Sequence, residues 1–352
     1  MENHALIVGI TGISGSNLAE HLLGLGGWRV SGLSRTRSPI AAVNSLQRDL
    51  TNADSVKAAL GDLAPTHVFV TAWARQATEA ENCRVNGAIV RNVLDALSGR
   101  GLRHVALVTG TKHYLGPFEA YAKVSPETPF REEQARLDYE NFYYVQEDIV
   151  FAAARRDGLS WSVHRPQTLI GYAVGNAMNM AATLGVYAAI CKETGRPFVF
   201  PGSPEQYAAV TDVTDARLLA RHLTWASTVP QAADHAFNVV NGEVFRWKWL
   251  WPRIAAYFGL DAAPYPGHPQ PLETQMADAA PVWDAIVRKH GLAANTLSRV
   301  ASFWHSDADL GRQVETFNDM GRSRRLGFLD YQDTTASFTD AFDRLRADKI
   351  IP

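Results

Sequence analysis

The chain has 352 residues, 46% of them hydrophobic and 20% charged, with a formal net charge of −2. That is globular composition, and the near-neutral balance leaves no global electrostatic case for nucleic acid or for an anionic membrane. Cys83 and Cys191 are the two cysteines, too few for a disulfide framework or a Cys-rich metal site.

The first expected strand is "ALIVG", from Ala5. No signal-peptide pattern stands before it, so a cytoplasmic setting is the expectation. Strand-like runs recur as "WRVSGL" from Trp28, "HVFVTA" from His67, "HVALVTG" from His104 and "WSVHRP" from Trp161. Helical patterns lie between them at Asn17–Leu25, Ala53–Leu60, Val85–Leu97 and Tyr139–Arg156. Strict alternation of short apolar strands and helices predicts α/β architecture: a doubly wound, Rossmann-type parallel sheet.

After Pro166 the pattern changes. Met178–Lys192, Asp215–Ala226 and Trp247–Phe258 read as helices, with strand-like "PFVFPG" and "HAFNVVNG" between them. The run "AMNMAATLGVYAAIC" is too short to span a bilayer comfortably, so no membrane partner is expected. The last hundred or so residues are mostly helical and Trp-rich. The domain reading is a dinucleotide-binding domain over 1–170, with 207–245 returning to it. A smaller, mostly helical substrate lobe takes 171–206 and 246–352.

The first strand runs into Gly9-x-x-Gly12-x-x-Gly15 and then a helix. Such glycines allow a tight turn and close backbone approach, and the helix start points its N–H groups at a pyrophosphate. Thr11, Ile13 and Ser14 fall inside that turn. The end of the second strand selects the nucleotide. A cofactor without a 2′-phosphate wants an acid there, about 20 residues past the glycines. Ser34-Arg35-Thr36-Arg37 stands there instead, with Arg35 and Arg37 suited to a phosphate, so NADPH is favoured over NADH. Asp49 and Leu50, after the third strand, are expected to flank the adenine. Ligands of open α/β sheets lie beyond the strand C-termini. Ala72, Trp73, Thr109, Pro166, Thr168 and Leu169 are therefore added to the cofactor set.

Two further motifs carry the chemistry. "TKHYLGPFEAY" puts Lys112 just after a strand, and "NFYYVQED" puts Tyr143 at a helix start. With "TEAENC", "RNVLDAL", "LSWSVHRP", "GVYAAICK", "AFNVVNGEVFRWKW" and the closing "DKIIP", they extend over nearly the whole chain. On these motifs the sequence resembles the progesterone 5β-reductase/iridoid synthase-like enone reductases, a group of extended short-chain dehydrogenases/reductases. Most short-chain dehydrogenases place a Lys four residues after the catalytic Tyr. Here that position holds Glu147. The resemblance implies that Lys112 supplies the missing lysine and Tyr143 is the catalytic tyrosine. Tyr144 is then a packing residue, and Glu147 a structural partner to a nearby cation.

The resemblance also implies 1,4-hydride addition to a small hydrophobic enone or enal, with Tyr143 stabilising the enolate oxygen. Phe118, Tyr121 and Tyr331 are implied as substrate contacts. Departures from the family pattern fall at Thr111, Thr71-Ala72, Gln167-Thr168 and Tyr331, positions that bear on substrate preference. Rival readings are a carbonyl (1,2-) reductase, a nucleotide-sugar epimerase and a non-catalytic NADP-sensing protein. No nucleic-acid partner and no metal are expected, and the composition is compatible with a homodimer.

Overall fold

The computed structural model describes residues 3–117, 126–175 and 178–352. Strands β1 (Asn3–Val8), β2 (Trp28–Ser34), β3 (Asn44–Gln47), β4 (His67–Val70), β5 (His104–Val108) and β6 (Ser160–Pro166) are joined by helices. Those helices are α1 (Ile13–Leu25), α2 (Ala53–Leu60), α3 (Glu79–Ala96), the short α4 (Lys112–Leu115) and α5 (Phe142–Asp157). Beyond β6 come the short β7 (Leu169–Ile170), α6 (Met180–Thr194), α7 (Pro204–Ala208), β8 (Thr214–Asp215), α8 (Ala216–Thr228) and β9 (His235–Val239). Seven strands form one sheet in the order β3-β2-β1-β4-β5-β6-β9, every pair parallel.

The apolar runs read as strands because both faces of the sheet are covered. Along β1, Leu6 and Val8 pack with residues of α2, α3 and α5, while Ala5 and Ile7 pack with residues of α1 and α8. Chain direction across the sheet reverses at β1: β2 and β3 lie to one side, β4 onward to the other. Such a switch point opens a crevice at the strand C-termini.

The remaining helices are α9 (Trp247–Tyr257), α10 (Leu272–Gln275), α11 (Ala279–His290), α12 (Leu297–Val300), α13 (Phe303–Leu310), α14 (Gly321–Arg325) and α15 (Thr334–Ala347). All but α14, which packs against β9, share with α6 a core in which Phe198 stacks on Trp251 at 4.3 Å between ring centroids. "PFVFPG" is therefore no strand. Phe198 makes one isolated bridge to Ala262, and Phe198 and Phe200 are knobs of the lobe core. Among the described residues no helix is long and apolar enough to cross a membrane, and no cluster of side chains could hold a metal ion.

Candidate active site

The switch-point crevice is a cavity of about 1180 Å³. At its floor Gly9 has φ 90°, and a Cβ there would stand 2.8 Å from the Ala72 backbone. A Cβ on Gly15 would meet the Gly9 carbonyl oxygen at 2.3 Å, so Gly15 packs the helix onto the turn and does not border the cavity. Thr11, Gly12, Ile13 and Ser14 do border it. No side chain caps the start of α1, and its first turn carries no acid. The open N–H groups and the positive helix end suit a pyrophosphate.

Ser34, Arg35, Thr36, Gln47, Arg48, Asp49 and Leu50 line the far end. Arg37, expected beside Arg35, is exposed and outside the lining. The Ser34 hydroxyl donates to the Thr36 carbonyl at 2.6 Å and turns the chain away. Arg48 takes the place instead. Ser34 pairs with Gln47 in the β2–β3 register, so Arg35 and Arg48 follow paired residues. Asp49 accepts from the Thr51 N–H at 2.9 Å and the Thr51 hydroxyl at 2.8 Å. Those hydrogen bonds, with a smaller contribution from Arg35, lower its pKa.

The chemical end is built where α4, α5 and β6 converge. Lys112 is buried, its Nζ 5.0 Å from the Phe142 ring centroid and 3.8 Å from Glu79 Oε2. Glu79 Oε1 accepts from the Phe142 N–H at 2.9 Å. Asn141 caps α5 by accepting from the Tyr143 N–H at 3.0 Å, and its Nδ2 donates to the Lys112 carbonyl at 2.9 Å. Tyr143 is half-buried and lines the cavity. A Cβ on Gly110 would lie 3.1 Å from the Tyr143 hydroxyl, so close approach at that point needs glycine. The Trp73 ring stacks on Phe142 at 5.8 Å and gives the cavity an aromatic wall. Ala72, Thr109, Pro166, Thr168 and Leu169 border the same space. Lys112 and Tyr143, distant in sequence, thus face one cavity.

Glu147 points the other way. Its carboxylate accepts from Arg136 at 2.8 Å and Arg165 at 3.4 Å, and it is 2% exposed. Tyr144 packs as expected but also bonds: its hydroxyl donates to the His113 carbonyl at 2.7 Å and accepts from the Leu137 N–H at 3.0 Å. The Glu at the fourth position after Tyr143 is an anchor of α5 to β6.

The lobe closes the cavity with Gly175, Met178, His305, Asp309 and Arg312. Asp309 accepts from the Thr168 hydroxyl at 2.8 Å and pairs with Arg312. Of the three implied substrate contacts, Phe118 and Tyr121 lie outside the described residues. Tyr331 does not border the cavity. It is 54% exposed, with its hydroxyl 3.3 Å from Glu243, in a segment where the Gln332 N–H donates to the Asn241 carbonyl at 3.0 Å.

A family model described as a PRISE-like Rossmann-fold domain matches residues 38–352. The chain belongs to the PRISE family. Among PRISE relatives, an (S)-8-oxocitronellyl enol synthase of Nepeta cataria is 40% identical, the match covering 100% of this chain and 94% of that protein. A 3-oxo-Δ(4,5)-steroid 5-beta-reductase of Arabidopsis thaliana is 38% identical over 100% and 94%. Among solved structures, the enzyme WbmG of Bordetella bronchiseptica, in complex with NAD, matches with a TM-score of 0.67 at 16% identity over 100% and 96% of the two chains. A UDP-glucose 4-epimerase of Thermotoga maritima matches at 0.67 and 14% over 98% and 99%. These two likenesses are of fold.

Sequence reasoning on this PRISE chain missed several site residues. Asn141 carries a readable signal, an Asn directly before an apolar helix. Arg48 becomes readable only once the β2–β3 register is known. Glu79 and the Asp309–Arg312 pair give no local signal, since an acid in a first helical turn and an i, i+3 ion pair are common on any helix.

Proposed function

We propose that the protein reduces the activated C=C bond of small hydrophobic enones and enals, using NADPH, by 1,4-addition. The observation that carries this reading is full-length identity of 38–40% to relatives named for an enol synthase and a steroid 5-beta-reductase. The convergence of Tyr143 and Lys112 on one cavity supports it. When bound, the reduced nicotinamide supplies hydride to the β-carbon.

The protein supplies the rest. Negative charge collects on the substrate carbonyl oxygen as an enolate, and a preorganised donor there is the largest contribution a protein can make. The Tyr143 hydroxyl is that donor. Lys112 holds positive charge on the same side, fixed by Glu79 and by the Asn141 bond to its carbonyl. Trp73 and Phe142 give the apolar substrate a wall. The α-carbon takes its proton from water. NADPH is preferred because the ribose end offers Arg35 and Arg48, and the one nearby acid, Asp49, is engaged by Thr51.

An NADPH-consumption assay over small enones, enals and a steroid enone, with product analysis, tests the reading. Saturated carbonyl products are expected. Allylic alcohols as the sole products, or no turnover of any of these substrates, would remove it.

A further inference from the structure

Gln167 follows the last residue of β6 and borders the same cavity as Tyr143. It is 4% exposed, and its backbone N–H donates to the Thr214 hydroxyl at 3.0 Å. Its side-chain oxygen accepts from the Thr111 hydroxyl at 2.7 Å. In this arrangement the amide is held by its oxygen. The Nε2 group is buried and has no hydrogen-bond partner among the described residues. Buried amide N–H groups without an acceptor are costly, and folded proteins keep few of them. Gln167 borders the cavity, so a ligand that fills it can supply the missing acceptor.

The neighbours indicate which ligand atom. Thr111 follows Gly110, and a Cβ on Gly110 would stand 3.1 Å from the Tyr143 hydroxyl and 3.3 Å from the carbonyl oxygen of Pro166. Gln167 is the next residue after Pro166. Gly110 thus lies close both to the Tyr143 hydroxyl and to the segment that carries Gln167.

We propose that Gln167 is a second catalytic hydrogen-bond donor, its Nε2 group sharing with Tyr143 the substrate oxygen on which enolate charge develops. The inference rests on the enone-reductase reading. A carbonyl oxygen has two lone pairs and accepts two donors, and both bonds strengthen as it becomes an oxyanion. Thr111 acts as the positioning residue that holds the amide by its oxygen.

The test uses the NADP⁺ complex of the full chain and a nitrophenol, whose ionised oxygen copies an enolate. Absorbance reports the pKa of the bound phenol. In the wild type it is expected to fall on binding. In Gln167→Met, of similar shape without the donor, it should rise by about one unit, a tenfold change in ionisation. Gln167→Glu keeps an acceptor for Thr111 but opposes an anion, and should raise it further. Turnover of an enone should fall about tenfold or more in Gln167→Met, with the KM for NADPH unchanged.

A bound-phenol pKa that is the same in the wild type and both variants overturns the proposal. So does weaker NADPH binding with kcat kept at saturation, since the amide then serves the nicotinamide. Phenol that fails to bind or to shift in the wild type removes the oxyanion site altogether. Because the titration needs no turnover, a wild type that reduces no enone defeats the functional reading while Gln167 is still decided.

Discussion

Asn141 donates from its Nδ2 to the carbonyl of Lys112 at 2.9 Å, across 29 residues of chain. The same side chain accepts from the N–H of Tyr143 at 3.0 Å. One amide therefore joins the backbone of the lysine to the start of the helix that carries the tyrosine. Where Tyr and Lys stand four apart on a single helix, the helix itself sets their geometry. Here they come from different elements, and a cross-link has to do so.

Asn141→Ala removes the helix cap and leaves the Lys112 carbonyl without its partner. Loss of the cap alone costs about 1 kcal/mol, which for a chain of this size lowers Tm by about 1–2 °C. Turnover should fall by about tenfold, with the KM for NADPH little changed. Asn141→Asp separates the two effects. It keeps the acceptor for Tyr143 N–H but turns the donor into a second acceptor facing a carbonyl. Its Tm should recover while its kcat stays low. Full activity in Asn141→Asp would show that the link to Lys112 is dispensable.

Tyr143→Phe should lower kcat by more than tenfold, since a single oxyanion donor can carry a few kcal/mol. Tyr144→Phe is the matched control. Its hydroxyl bonds to the His113 carbonyl and the Leu137 N–H, so its loss should cost about 1 kcal/mol of stability and leave most of kcat. If the two variants lost activity equally, the assignment of roles within the pair would fail.

Arg35→Ala combined with Arg48→Ala should raise the KM for NADPH by about tenfold or more and leave the KM for NADH nearly unchanged, because only the former carries a phosphate for a guanidinium to bind. Arg37→Ala should leave both unchanged, its side chain being exposed and outside the cavity. Steady-state kinetics with the two cofactors decides it. An effect of Arg37→Ala as large as that of the double variant would restore the neighbour reading.

How much could be read in advance depended on the kind of signal. "ALIVG" and its counterparts announce the sheet because a strand covered on both faces is a short apolar run. Helix starts were read late. α1 begins at Ile13 and α3 at Glu79, ahead of the expected Asn17 and Val85, because their first turns hold small or polar residues with little apolar periodicity. "PFVFPG" alternates like a strand, yet Phe198 and Phe200 are lobe-core knobs. At the site, Lys112 and Tyr143 were legible through resemblance, not spacing. Arg48 required strand register, and the linear neighbour Arg37 was taken for it. The Tyr331 expectation rests on position in a motif, whereas the adjacent Gln332 N–H bonds the Asn241 carbonyl and Tyr331 itself stays outside the cavity.

The buried histidines make stability depend on pH. His104 and His222 are pushed down to about 3 by burial, His113 to about 3 by burial and Arg165, and His67 to about 4 by burial and Arg103. His104, Ser162, His164 and His222 form one hydrogen-bonded chain that needs neutral rings. All four folded-state values lie below the unfolded value of 6.5. Below that value the unfolded chain takes up protons that the folded one refuses. Their stabilisation is thus fully present above pH 6.5 and is lost as pH falls toward 3, at up to about 1.4 kcal/mol per pH unit for each group. Asp212, buried and raised to about 8, has the opposite sign: its contribution is full below 3.8 and lost as pH rises toward 8. His164, His305 and His21 are lowered by burial too, while Glu132 and Asp307 are raised like Asp212, so the histidines outnumber the raised carboxyls and stability falls on acidification. Urea unfolding at pH 7, 6 and 5 should show it, with His67→Phe reducing the slope by about one group's share. A flat profile between pH 7 and 5 would mean that these imidazoles titrate alike in both states.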